Sequence, residues 1–223
     1  MLRRIKEIFS KNKKSYYELG TAAAMRDNYQ LALKYFLKAA ARGDAKSQFL
    51  SGFFYEKGVT GEKDIKSALV HYSAAARQGY ADALYHLAYI YKNSKGSLQN
   101  IRKAEELLSE AAEKGHPEAA FSLAMKHKSG RGVKKNDREA FRLFLIAAEK
   151  GHMKAQYNLG VMCAGGRGTP KDDAEAVRWY RLSAAQGYGI AQYNLAYMLQ
   201  SGRGVKKDYK EALFWFNKAR ERL

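Results

Sequence analysis

Cysteine, proline and long apolar runs are all scarce in this chain. With Cys163 the only cysteine, no disulfide can close within it, and a reducing compartment is the expectation. Two prolines in 223 residues leave long stretches free to be helical. No stretch approaches the ~18–20 apolar residues of a membrane span. The basic N-terminus, MLRRIKEIFSKNKK, lacks the ~7–15-residue apolar core of a secretory signal, so cytoplasmic residence is expected. Motifs for chemistry are missing as well: no HExxH, no GxSxG and no Walker loop occurs. The stretches GGRG at 165–168 and SGRG at 201–204 lack the Lys-Ser/Thr pair that a phosphate-cradling loop needs. They are better suited to inter-helix turns with positive φ. No cofactor or metal is called for, and a non-enzymatic protein is expected. Acidic residues number 22 against 40 basic ones, a net charge of +18. That balance bears on partners and not on fold; acidic proteins, nucleic acid and anionic membrane are the candidates.

What is present in abundance is repetition. Gly43, Gly79, Gly115, Gly151 and Gly187 stand 36 residues apart, and a fixed period of this length marks a stacked array. Each unit can bury its apolar face only against its neighbours, so one continuous elongated domain is expected. In 151–186 the apolar spacing of Ala155, Leu159 and Met162 is helical, and Gly165, Gly166, Gly168 and Pro170 end that helix. Asp172 is placed to cap a second helix carrying Ala176, Val177, Tyr180 and Ala184. The columns recur: small residues at Ala68, Ala104, Ala140, Ala176 and Ala212, and caps at Asp64, Asn100, Asn136, Asp172 and Asp208. An aromatic column runs Phe49, Tyr85, Phe121, Tyr157 and Tyr193. Of the five histidines, His116 and His152 follow repeat glycines and read as structural, and Cys163 reads as a buried, inert thiol.

Residues 11–42 form a shorter unit that resembles a tetratricopeptide repeat, with Leu19, Gly20, Ala32, Phe36 and Ala39 in its signature places. The longer units of 43–223, with GRGV at 130–133 and 202–205, resemble Sel1-like repeats, the loop-extended relatives of that family. The resemblance implies an all-α fold, a right-handed α/α superhelical solenoid of antiparallel helix pairs. It also implies an adaptor or scaffold, and a bacterial source. The disulfide-stapled branch of the family, with paired cysteines in each repeat, is not matched. The 79–114 unit departs furthest from the pattern: its loop 94–100 lacks GRGV, and it is expected to be the softest.

Three surfaces are candidates. The resemblance places ligand-facing residues at positions 4, 7, 11, 14 and 15 of each unit, counted from its glycine. Positions 7 and 11 supply Phe49 and Phe53, Tyr85 and Tyr89, Phe121 and Met125, Tyr157, and Tyr193 and Tyr197. Members of each pair are four apart and share a helix face. Such a concave aromatic groove suits a peptide or helix of a partner protein. A carboxylate clamp of the tetratricopeptide kind is not expected, since aromatics stand where it needs Lys and Asn. The loops form a basic edge of Arg131, Lys134, Lys135, Arg167, Lys171, Arg203, Lys206 and Lys207, suited to an acidic partner or, less favoured, to nucleic acid. The ends are the third. Residues 1–10 carry Leu2, Ile5, Ile8 and Phe9 on one face of a basic segment, read as a cap and alternatively as a membrane contact. Phe214 and Trp215 form an apolar C-terminal face open to a homodimer or a partner. The reading is a scaffold binding an acidic protein or peptide; the rivals are an immunity or effector protein of a bacterial conflict system and an electrostatic nucleic-acid binder.

Overall fold

Short polar residues start the helices and glycines stop them. In the computed structural model, which describes residues 15–93 and 100–221, Ser15 opens the first helix with a reciprocal capping box. Its Oγ accepts from the Glu18 amide, and Glu18 accepts from the Ser15 amide at 2.7 Å. The expected cap column follows: Asp64, Asn100, Asn136, Asp172 and Asp208 each accept from the amide three residues on. At the other ends, the repeat glycines take positive φ, from 74° at Gly79 to 89° at Gly43.

Twelve helices result among the described residues, with no strand. They are α1 (Tyr16–Ala24), α2 (Tyr29–Ala40), α3 (Ala45–Lys57), α4 (Ile65–Ala76), α5 (Ala81–Asn93), α6 (Ile101–Glu113), α7 (Pro117–Ser129), α8 (Asp137–Glu149), α9 (Met153–Gly165), α10 (Asp173–Ala185), α11 (Gly189–Ser201) and α12 (Tyr209–Arg220). Odd-numbered helices are the first member of a repeat and even-numbered ones the second. The chain divides between Leu107 and Leu108, within α6, into two compact units. In the first, α1 pairs with α2 and α3 with α4, and α2–α3 and α4–α5 pack in succession. In the second, α7–α8, α9–α10 and α11–α12 pair and pack in the same way. Residues 1–14, with the proposed cap, and the loop 94–99 lie outside the described residues.

The alanine column explains how closely the helices approach. Ala68, Ala140 and Ala176 are fully buried, and so are Ala83, Ala119, Ala155 and Ala191 on the first helices. Gly160 goes further: a Cβ there would come within 2.5 Å of the Tyr180 ring, so only glycine admits that ring. Around these contacts the second unit buries Leu159, Met162, Leu195 and Leu199, each contributing about 1.5–3 kcal/mol. The first unit gathers Ala32, Leu33, Phe36 and Phe54. Polar ties close single repeats. Gln78 Nε2 donates to the Gly43 carbonyl at 3.0 Å and to Gln48 at 2.8 Å, and Gln186 makes the same pair of bonds to Gly151 and Gln156.

A candidate protein-binding face and its basic loops

At position 7, Phe49, Phe121 and Tyr157 are covered by the protein itself. Phe49 lies 5.7 Å from Tyr72 and 5.3 Å from Tyr80; Phe121 lies 5.8 Å from Phe144 and stacks on His152 at 4.4 Å; Tyr157 lies 6.1 Å from Tyr180 and 5.2 Å from Tyr188. Each ring thus touches the aromatic of its own second helix and the residue that opens the next first helix. Burial raises the Tyr157 hydroxyl pKa, with the neighbouring Tyr188 adding to it. Tyr85 is half-buried beside His86. Tyr193 meets Phe216 at 5.4 Å and stays 51% exposed.

Position 11 divides differently. Tyr89, Met125 and Tyr197 are exposed, at 56%, 39% and 51%. Phe53 is not: its ring meets His86 edge-on at 6.0 Å and lies under the Lys57 ammonium. His86 in turn joins a buried polar node that the sequence reading missed. Its Nδ1 is 2.7 Å from Glu56 Oε2, the Tyr72 hydroxyl donates to the same oxygen at 2.7 Å, and Lys57 pairs with Oε1. Burial by itself would raise the Glu56 pKa; hydrogen bonds from His86, Lys57 and Tyr72 more than offset it and hold the carboxyl at about 2. Burial, then the bond to Glu56, pushes the Tyr72 hydroxyl far above the usual tyrosine range. Phe49 and Phe53 therefore serve to wall this node, and of the expected groove residues Tyr89, Met125, Tyr193 and Tyr197 stay exposed. A signal was there: Glu56 replaces Lys92, Lys128, Ala164 and Gln200 of its column, and His86 replaces Ser122, Asn158 and Asn194 of its own.

The basic loops are not equivalent either. Arg167 grips Asp137, at the start of α8, with Nη2–Oδ1 3.0 Å and Nε–Oδ2 3.3 Å. Arg203 grips Asp173, at the start of α10, at 2.6 and 3.1 Å. Hydrogen bonds from these guanidinium groups hold both carboxyls below the usual aspartate range. Beside each arginine a glycine lies flat on the preceding repeat. A Cβ on Gly168 would sit 2.2 Å from the Asp137 carbonyl oxygen, and one on Gly204 2.2 Å from Asp173 backbone. Both have positive φ, +72° and +68°. The GRG loop is thus a staple between repeats, and these two arginines of the expected basic edge are ion-paired within it while staying partly exposed. Lys171 reaches Asp173 at 3.7 Å. Arg131, Lys134, Lys135, Lys206 and Lys207 are exposed.

The remaining residues fall into place around these. His116 and His152 are helix caps: their Nδ1 atoms accept from the Ala119 and Ala155 amides, at 3.2 and 3.1 Å. His152 Nε2 also lies 3.0 Å from Glu118. Cys163 is buried, its thiol pushed up to about 11 by burial and then by the charges of Glu175 and Asp172. On α12, Phe214 is 51% exposed beside Leu213 at 62%. Trp215 instead packs on the core of the second unit and donates its indole N–H to Glu211 at 3.1 Å. Among the described residues, no group of three or more His, Cys, Asp or Glu is arranged to hold a metal ion, and no helix is long and apolar enough to cross a membrane.

Comparison with known proteins gives these features a place. A Sel1 repeat model matches residues 15–44, 45–80, 81–116, 117–152, 154–188 and 189–222. No curated protein matches the sequence. Among solved structures, a Sel1 repeat protein from Oxalobacter formigenes is 29% identical, with a TM-score of 0.73 over 94% of this chain and 83% of that one. A protective antigen of uropathogenic Escherichia coli strains, displaying an SLR fold, is also 29% identical (TM-score 0.54); the match spans 85% of this chain and 48% of that one. An immunity protein from Pseudomonas aeruginosa shares the fold at 20% identity and TM-score 0.56, over 92% of this chain and 79% of its own. With six matches running in series from residue 15 to residue 222, over helix pairs whose caps and staples keep the same spacing, this chain belongs to the Sel1 repeat family.

Proposed function

We propose that the chain is a non-enzymatic interaction scaffold that holds a partner protein or peptide on the exposed faces of its first helices. Sel1 repeats generally serve protein–protein interaction. The observation that carries the reading to particular residues is position 11, where Met125 and Tyr197 expose large side chains on two repeats of the second unit and Tyr89 does so in the first unit. Rings and thioethers on rigid helices supply contact area at small entropic cost, and loss of one such anchor costs about 2 kcal/mol or more of binding energy. The net charge of +18 favours an acidic partner and speeds encounter more than it deepens affinity. The likeness to an immunity protein, at 20% identity, speaks for the fold and leaves the choice of partner open.

The test has two steps. Affinity capture from native lysate, with nuclease, identifies a protein retained at near one-to-one yield. Its affinity is then measured for the chain carrying Tyr89→Ala, Met125→Ala and Tyr197→Ala together. A loss of about 100-fold or more supports the reading. Unchanged affinity in a variant with intact helicity refutes it, and captured material that vanishes with nuclease assigns binding to charge alone.

A further inference from the structure

Three loops carry similar basic lettering, and one of them keeps its arginine unneutralised. GRGVKK occurs at both 130–135 and 202–207. Arg203 is spent on Asp173, and Arg167 of the intervening repeat on Asp137, in each case thirty residues upstream. The residue thirty before Arg131 is Ile101, and the Arg131 side chain makes no hydrogen bond or ion pair among the described residues. Next to it in the chain stand His127 and Lys128 in the last turn of α7, then Lys134 and Lys135; no carboxylate occurs from 127 to 135. The carbonyl end of α7 tolerates that concentration of cations.

The same loop is lined by an imidazole out of its ordinary place. His127 occupies a column that holds Tyr55, Tyr91, Cys163 and Leu199 in other repeats. Its Nδ1 is buried without a hydrogen-bond partner among the described residues, a condition that costs about 1–3 kcal/mol. His127, Lys134, Lys135, Asn136 and Asp137 line one cleft. Lys128, adjoining it, donates to the Asn158 amide oxygen at 2.6 Å; burial, then the charge of Arg167, lowers its pKa. The two carboxylates facing this region are already answered, Asp137 by Arg167 at 3.0 Å and Glu139 by Arg142 at 2.7 Å. An excess of positive charge therefore remains beside an unsatisfied polar atom.

We propose that residues 127–135 form an anion-binding site that takes clustered carboxylates of an acidic peptide segment. Arg131, Lys134 and Lys135 contact the carboxylates, and His127, with its proton on Nδ1, donates to one of them in the cleft. The origin of the peptide, a bound partner, rests on the scaffold reading; the site itself does not. It deepens that reading by locating acid recognition in one loop of one repeat instead of along the whole basic edge.

The probe is fluorescein-labelled octaglutamate, titrated by anisotropy against the full chain at low and physiological salt. Two triple variants remove the same charge from the same lettering: Arg131→Gln/Lys134→Gln/Lys135→Gln, and Arg203→Gln/Lys206→Gln/Lys207→Gln. The first is expected to weaken binding about tenfold or more and to flatten its salt dependence, the second by less than about threefold. His127→Leu, which restores the apolar type of its column, is expected to weaken the probe severalfold without lowering the Tm. Circular dichroism confirms that each variant is folded. Equal losses from the two triples, or no binding at low salt, overturn the proposal. So does a single-stranded oligonucleotide of matched charge that binds tighter than octaglutamate and depends on the first triple. The Tyr89, Met125 and Tyr197 triple should bind the probe normally. Should that variant also keep its affinity for the captured partner while the loop triple loses the probe, the groove falls and the anion site stands.

Discussion

Replacing Glu56 by Gln tests whether the buried node is held by charge. The carboxylate has 8% of its side chain exposed and receives His86 and the Tyr72 hydroxyl on one oxygen and Lys57 on the other. A glutamine amide presents one acceptor and one donor, so a donor on the second side loses its partner and the charge-assisted bonds weaken. The expected cost at neutral pH is about 2–4 kcal/mol. The pH dependence gives an independent figure. Lowering the pKa from 4.5 to about 2 corresponds to ~3 kcal/mol, and solvent screening on the open Lys57 side trims it to ~2 kcal/mol. Because the folded value is depressed, this stabilisation is complete above the unfolded pKa near 4.5 and is lost as pH falls through about 2. Urea unfolding followed by circular dichroism from pH 7 to pH 2, with hydrogen exchange over α3, α4 and α5, reads the effect where it originates. The wild type should lose about 2 kcal/mol relative to Glu56→Gln across that acid window. Parallel loss in both proteins, or equal stability at pH 7, refutes a charge-held node.

The other expectations concern the staple, the caps and the thiol. Gly204→Ala forces a Cβ onto the Asp173 backbone, whereas none of the described residues comes within 4 Å of a Cβ at Gly132; both have positive φ. Calorimetry should show ~1–2 kcal/mol lost at 132 and about 3 kcal/mol or more at 204, and equal shifts in Tm would refute the staple geometry. His152→Ala should cost ~2 kcal/mol, because the imidazole both caps the Ala155 amide, which also reaches the His152 carbonyl at 3.0 Å, and stacks on Phe121; His152→Asn should restore only the cap's share of ~0.5–1 kcal/mol. Faster exchange of that amide in the alanine variant alone is the check. With its thiol pushed up to about 11 inside the core, Cys163 should react with dithionitrobenzoate at pH 8 roughly 100-fold more slowly folded than in urea; similar rates would place it outside the core.

Periodicity shows which residues are equivalent, and so the caps at Asp64, Asn136, Asp172 and Asp208 and the buried alanines could be read before any coordinates. It does not show what one column faces in the next. Phe49, Phe121 and Tyr157 look alike as groove anchors until Tyr80, His152 and Tyr188, each 31 residues on, are seen to cover them. The loop arginines misled for a related reason. A guanidinium in a Gly-rich turn reads as exposed charge, because its partner Asp sits at the start of a helix in the repeat before. The spacing of thirty between Arg167 and Asp137, repeated between Arg203 and Asp173, was present in the letters, as was its failure at Ile101. Histidine as a helix cap, at His116 and His152, has no such arithmetic: it follows from the reach of Nδ1 to the amide three residues on.

The offset of the staple has a consequence for how such an array can change length. Arg203 stands to Asp173 as Arg167 stands to Asp137. Excision of residues 151–186, one full period, would therefore bring Arg203 into the register that Arg167 now holds, opposite Asp137, with the Gly204 turn following where Gly168 lies. A cut that is not a whole number of periods strands an arginine without its carboxylate and a glycine without its contact. The ionic stitch thus acts as a reading frame for the tertiary structure, under which whole repeats can be gained or lost while fractions of a repeat carry a penalty.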